Sequence, residues 1–186
     1  MLVKDIIKTT SSMLNRQDVI DYLNDKTQDA GKDTLPTINL LVNLLNLVVS
    51  ELAGTFIPMI KSEEIKVNSN KIYYSDLEEK CIKVLCVYDD KGNKLDFEQS
   101  VEFIYVNADC AVVEYEFVPP NYDLESQIGY KESDITSSAL SYGLASEFCI
   151  CKGSFEEAVM WHDRYVNSIY EKRKLKNATI KGRCFI

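Results

Sequence analysis

The spacing of apolar residues changes twice along this chain, from a helical period to an alternating one and back. Asn15 with Asp18 three residues on reads as a helix N-cap, followed by Val19, Ile20, Tyr22 and Leu23. The run Asp29-Ala30-Gly31-Lys32-Asp33 ends that helix. The next opens at Thr34 with Pro36 in its first turn, where a missing N–H costs little, and breaks near Ala53-Gly54 before Pro58. Residues 1–14, with Leu2, Val3, Ile6 and Ile7, fit either a further helix or a second docking arm.

From about residue 61 to 120 the pattern alternates. Ile65 and Val67 alternate with charges, Asn68-Ser69-Asn70 turns the chain into Ile72 and Tyr74, and residues 82–88 form a strand. Asp89-Asp90-Lys91-Gly92-Asn93 is a hairpin signal, with Leu95, Phe97, Val101, Phe103 and Tyr105 alternating after it. Ala111, Val113, Tyr115 and Phe117 then share one face, Glu114 and Glu116 the wet one, and Pro119-Pro120 closes the sheet. Five or six such strands predict a small sandwich or barrel-like module.

The helical period then returns. Ser133 reads as the cap of a segment striped by Ile135, Ala139, Tyr142 and Ala145, with Leu140, Leu144 and Phe148 beside it. Gly153 ends it, and Ser154-Phe155-Glu156-Glu157 is a capping box for the last helix. There Phe155, Ala158, Val159, His162, Tyr165, Val166 and Ile169 fall on one amphipathic stripe. Two helices joined by Lys152-Gly153-Ser154 pack as an antiparallel pair.

The predicted class is α+β: a helical body with an inserted antiparallel β module and an extended tail. The body has two N-terminal helices and a C-terminal helix pair. In residue ranges this is N-terminal helices over 1–60, the β module over 61–122, the helix pair over 123–175 and a docking tail over 176–186.

Charge sharpens the picture at the C-terminal end. Residues 171–186 carry Lys172, Arg173, Lys174, Lys176, Lys181 and Arg183 against Glu171, a balance of +5, so a chain of net −8 leaves −13 on its first 170 residues. An acidic body with a basic, apolar-ended tail suggests a part that docks onto something else; a solvated end is the plain alternative. A pI near 4.8 argues against broad nucleic-acid affinity. Lys4, Asp5 and Lys8 interrupt any secretory apolar run. Residues 34–50 are 17 uncharged positions, short of the about 20 apolar residues a span needs. Asn39, Asn43, Asn46 and Ser50 stripe one face of that stretch, which is the pattern of a helix buried on its other sides.

Catalytic chemistry finds no constellation. His162 is the single histidine, lies on the apolar stripe of the last helix, and reads as a core or interface residue. Cys81, Cys86, Cys110, Cys149, Cys151 and Cys184 lack disulfide or zinc spacing and suit a reducing compartment. No acidic cluster has metal-ligand spacing, Asp89-Asp90 lacks the twelve-residue calcium pattern, and the seven glycines form no phosphate loop. The chain reads as non-enzymatic, with no cofactor and no metal.

The order helix–helix, β module, helix–helix, basic tail resembles the head–tail adaptor (connector) proteins of tailed bacteriophages, of the tail tubular protein A type, over nearly the whole length. The stretch that carries the likeness is the C-terminal pair, Leu140-Ser-Tyr142-Gly143-Leu-Ala145-Ser-Glu-Phe148 and Phe155-Glu-Glu-Ala158-Val-Met-Trp161-His-Asp-Arg-Tyr165. Its second helix matches a family Ala-x-x-Trp-x-x-x-Tyr pattern at Ala158, Trp161 and Tyr165. The resemblance implies a ring of about twelve copies beneath the portal, made in the bacterial cytoplasm and ending in the virion neck. Its partners would be further copies of the chain, the portal protein, a tail or second neck protein, and DNA passing through without sequence-specific contact. Tyr142, Phe148, Phe155, Ala158, Trp161, His162 and Tyr165 would pack the helix pair. Lys172, Arg173, Lys174, Lys176, Lys181, Arg183, Phe185 and Ile186 would dock the portal. A rival reading makes the chain a monomeric ligand-binding or adhesion module whose β domain exposes Tyr73, Tyr88 and Tyr122.

Overall fold

The computed structural model describes residues 1–26 and 31–177, with side chains as far as Glu171. Its α+β chain runs α1 (Val3–Met13), α2 (Gln17–Leu23), α3 (Thr34–Glu51), β1 (Met59–Lys66), β2 (Lys71–Tyr73), β3 (Cys81–Tyr88), β4 (Lys94–Leu95), β5 (Phe97–Gln99), β6 (Phe103–Val106), β7 (Cys110–Phe117), α4 (Ser137–Lys152) and α5 (Phe155–Asn177). Two units result. One is helical, from Met1–Val49 and the chain beyond Asn121; the other is the continuous segment Ser50–Pro120.

In the helical unit, residues 1–14 are not an arm. α1 buries Val3, Ile6 and Ile7 and adds a third helix to the two expected at the N-terminal end. Its entry is fixed by backbone bonds, the Val3 N–H donating to Ser126 C=O at 3.1 Å and the Ile128 N–H to Met1 C=O at 2.8 Å. Asn15 does not cap α2. It sits at φ 55°, where asparagine is tolerated, and terminates α1; Arg16 takes the cap position. Asp18 instead ties α2 to the start of α3, accepting from Arg16 at 2.8 Å and from the Thr34 hydroxyl at 3.1 Å.

α3 begins at Thr34 as the Pro36 signal predicts and buries Ile38, Leu41, Leu45, Val48 and Val49. Asn39 and Asn43 stand exposed on its other side. Asn46 closes a two-way bond with the Tyr122 backbone, its Nδ2 donating at 2.9 Å and its Oδ1 accepting at 2.8 Å. By length and hydropathy Thr34–Phe56 would suffice to cross a membrane, but 44% of its most apolar window is buried in the protein.

α4 is capped by Thr136, whose Oγ1 accepts from the Ala139 N–H at 3.1 Å; Ser133 lies too far upstream because residues 131–135 make a separate turn. Gly153 (φ 78°) ends α4 with its own N–H on Ile150 C=O and the Ser154 N–H on Cys149 C=O, a Schellman motif that needs a residue without Cβ strain. α5 follows at once and continues to Asn177, two residues past the expected end of the pair.

The second unit is a sandwich of two antiparallel sheets, ordered β1-β7-β3-β4 and β2-β6-β5. One core joins both sheets, with Val84, Val87, Ala111, Val113 and Tyr115 from the first and Ile72, Ile104 and Val106 from the second. Seven strands appear where five or six were expected, because the Leu95–Phe97 alternation splits at Asp96. Leu95 pairs with β3 and Phe97 with β6, so the chain changes sheets there. It also changes sheets at Ser69 and Asn70, both at positive φ, in a two-residue turn closed by Asn68 and Lys71. The β3–β4 hairpin forms as read, Gly92 at φ 80° and Asp89 accepting from the Lys91 and Asn93 N–H groups.

A candidate assembly surface on the C-terminal helices

The line along which α4 and α5 meet is set by small residues. Ser146 Oγ donates to the Ala158 carbonyl at 3.0 Å, and Gly143 lies so close to its neighbours that an added Cβ would stand 2.9 Å from Val48 and 3.1 Å from the Tyr165 ring. α5 therefore buries Ala158, Tyr165 and Ile169. Of the residues expected to pack the pair, Phe148, Ala158 and Tyr165 are buried, and Tyr142 and Trp161 are half-buried and stacked, their rings 5.8 Å apart at 16°.

Phe155 and His162 are not packed there. Phe155 is 65% exposed, Val159 is 62% exposed, and His162 faces solvent beside them. The apolar arc of α5, from Tyr165 round to Val159, covers roughly 120° at 100° per residue. Close approach at Gly143, Ser146 and Ala158 seats α4 on one edge of that arc and leaves the other edge open. Phe155, Val159 and His162 with Ile150 of α4 line an open groove of about 240 Å³ floored by Ser146 and Ala158.

The pair also holds a stack that the periodicity did not single out. The Arg164 guanidinium lies 4.9 Å over the Trp161 ring and 6.0 Å over the Tyr142 ring, so one cation sits against both of the stacked rings. Its sequence signal is the i, i+3 spacing of Trp161 and Arg164, which is common enough on helices to pass unnoticed.

The basic tail divides in two. Lys172, Arg173, Lys174 and Lys176 belong to the helical backbone of α5 rather than to an extended strand. Lys181, Arg183, Phe185 and Ile186 lie outside the described residues.

In the β unit, the three-stranded sheet turns Tyr73 and Tyr105, 40% and 44% exposed, outward with Phe103. Tyr73 and Phe103 meet edge to face at 5.9 Å, and Lys71 Nζ sits 4.3 Å over the Phe103 ring. Tyr88 and Tyr122 do not join this face. Tyr88 donates to Glu114 and is half-buried, and Tyr122 is 9% exposed within the helical unit.

Titratable groups are bound up in structure. Tyr115, fully buried, donates to Glu63 and accepts from the Glu79 N–H at 3.2 Å; burial and the Glu63 charge push its hydroxyl up to about 12. Burial opposes the charge on Glu63, but bonds from Tyr115, the Glu78 N–H and Lys61 outweigh it and hold the carboxyl below its usual range. Burial also raises the thiols of Cys81, Cys110 and Cys149, which disfavours the nucleophilic thiolate. Among the described residues, no group of three or more His, Cys, Asp or Glu side chains is placed to hold a metal ion. No protein-family model matches this chain, and no curated protein matches it either.

Proposed function

We propose that this chain is a structural virion protein, a head–tail adaptor that assembles as a ring under the portal, extends the DNA channel and joins portal to tail. The observation that carries this reading is the open half of the α5 apolar face. A monomer has little reason to leave Phe155, Val159 and Ile150 in water on one contiguous surface, whereas a subunit of an assembly has a partner for them. The acidic body fits a conduit, because like charge keeps a sliding duplex from adhering. The basic segment at the end of α5 and beyond is the portal-docking part. Each exposed ion pair there is worth under about 1 kcal/mol, but many copies acting together bind tightly.

The test is co-sedimentation with portal rings, comparing the full chain with a version ending at Glu171, which lacks all six cations of the docking segment and its apolar end. Full-length binding that is lost on truncation is the expected result. Equal binding, or none by either chain, removes the docking role.

One feature favours the rival reading of a ligand-binding β module, namely the outward Tyr73, Phe103 and Tyr105 cluster with Lys71 over one ring. Under that reading the double variant Tyr73→Ala/Tyr105→Ala abolishes capture on a glycan or peptide array while leaving assembly intact. Under the adaptor reading it leaves portal co-sedimentation unchanged.

A further inference from the structure

Two exposed helix faces in this acidic protein carry no charge. The first is the open edge of α5, with Phe155, Val159, His162 and Tyr170 exposed, Val166 half-buried, and Ile150 of α4 beside them. The second is on α3, where every exposed or half-buried position from Leu35 to Leu47 is uncharged. Leu35 and Leu47 are 45% and 54% exposed there, with Asn39 and Asn43 between them. Charged residues make up 27% of the chain and concentrate on surfaces, so two whole exposed helix faces without one are unusual.

From this we infer that the α3 face of one copy packs on the open α5 face of the next. Bodies of net −13 repel each other at most approaches, and a contact between two bodies is least opposed where both surfaces lack acids. The two faces satisfy that condition, and they differ in chemistry. α5 offers bulky apolar groups and an imidazole, whereas α3 offers two leucines separated by amides that can bond at a polar rim. Different faces make a heterologous, head-to-tail contact, the kind that closes into a ring when the rotation allows. The inference rests on the assembly reading given above and names the surfaces that reading requires.

The test pairs single cysteines in a background from which all six native ones are removed, Cys81, Cys86, Cys110, Cys151 and Cys184 as serine and the buried Cys149 as alanine. Leu47→Cys protein is mixed with Val159→Cys protein and oxidised. Mixed 47–159 dimers several-fold above either same-site dimer are expected, with a ladder of higher species from the double variant. Dominant same-site dimers would mean an isologous contact and overturn the inference. So would mixed dimers no more abundant than those of a control at Val101, which is 94% exposed.

A charge swap covers small errors of register. Leu47→Lys and Val159→Glu each weaken self-association in sedimentation velocity, and mixing the two restores it. Failure of the mixture to exceed either variant alone counts against the contact. If the intact chain instead floats with neutral lipid vesicles and Leu47→Lys abolishes flotation, the α3 face belongs to a membrane and the inference falls. Portal co-sedimentation is scored separately. Cross-linking without portal binding keeps this contact and sinks the adaptor reading; portal binding without cross-linking does the reverse.

Discussion

Gly143 shows how one missing side chain organises three helices. It lies mid-helix, where glycine costs up to about 1 kcal/mol against alanine, so an exposed glycine there would be improved by substitution. Its Cβ would instead meet Val48 of α3 and the ring of Tyr165 of α5 at 2.9 and 3.1 Å. Overpacking of that kind costs about 1–3 kcal/mol, which outweighs the propensity gain. Gly143→Ala is therefore expected to lower stability by about 1–2 kcal/mol in urea unfolding; a variant as stable as the parent would show that Val48 and Tyr165 shift freely. Tyr115 belongs at the same scale. Its period-2 position marked it as core, but nothing in the spacing revealed that its hydroxyl would meet Glu63, because that pairing joins residues 52 apart.

At the level of elements, junctions were harder to read than interiors. α3, the β3–β4 hairpin and the Gly153 stop follow from local chemistry, and each forms where the residues predict. The cap of α4 falls at Thr136 because several Ser and Thr residues compete for it, whereas α2 starts from Arg16 with no side-chain cap at all. Asp18 looked like a helper of an Asn15 cap and became the link from Arg16 to Thr34 across two helices. The hydrogen bond from Arg16 holds its carboxyl down to about 2, against an ordinary 3.8. A depressed carboxylate stabilises the fold above its unfolded pKa, and that gain is lost as pH falls from 3.8 towards 2. Asp18→Asn is thus expected to flatten the acid limb of a stability–pH curve over that window. Parallel limbs for parent and variant would exclude the link. The breadth of the α5 stripe was legible, but not its division, since which edge α4 covers depends on Gly143, Ser146 and Ala158 meeting at close range.

The whole molecule is governed by the opposition between an acidic body and its uncharged faces. Salt screens repulsion within about 10 Å at 0.1 M and leaves apolar contact intact. Self-association through α3 and α5 should therefore strengthen as salt is raised, as measured by sedimentation velocity, whereas portal docking by the basic end should weaken. Self-association that weakens with salt would point to ion pairs at the copy–copy contact.

The helical unit is also discontinuous, and this sets the order in which it can be made. Thr10 of α1 bonds the carbonyl of Ser141 of α4, 131 residues later. At about 5–20 residues per second, a ribosome needs on the order of ten seconds to supply that partner. The segment Ser50–Pro120 is continuous, and its last strand, ending at Phe117, is made about 1–5 seconds before Ser141. A nascent chain therefore carries a finished β sandwich behind three helices whose apolar sides still await α4 and α5. Such an intermediate is a natural client for a holding chaperone.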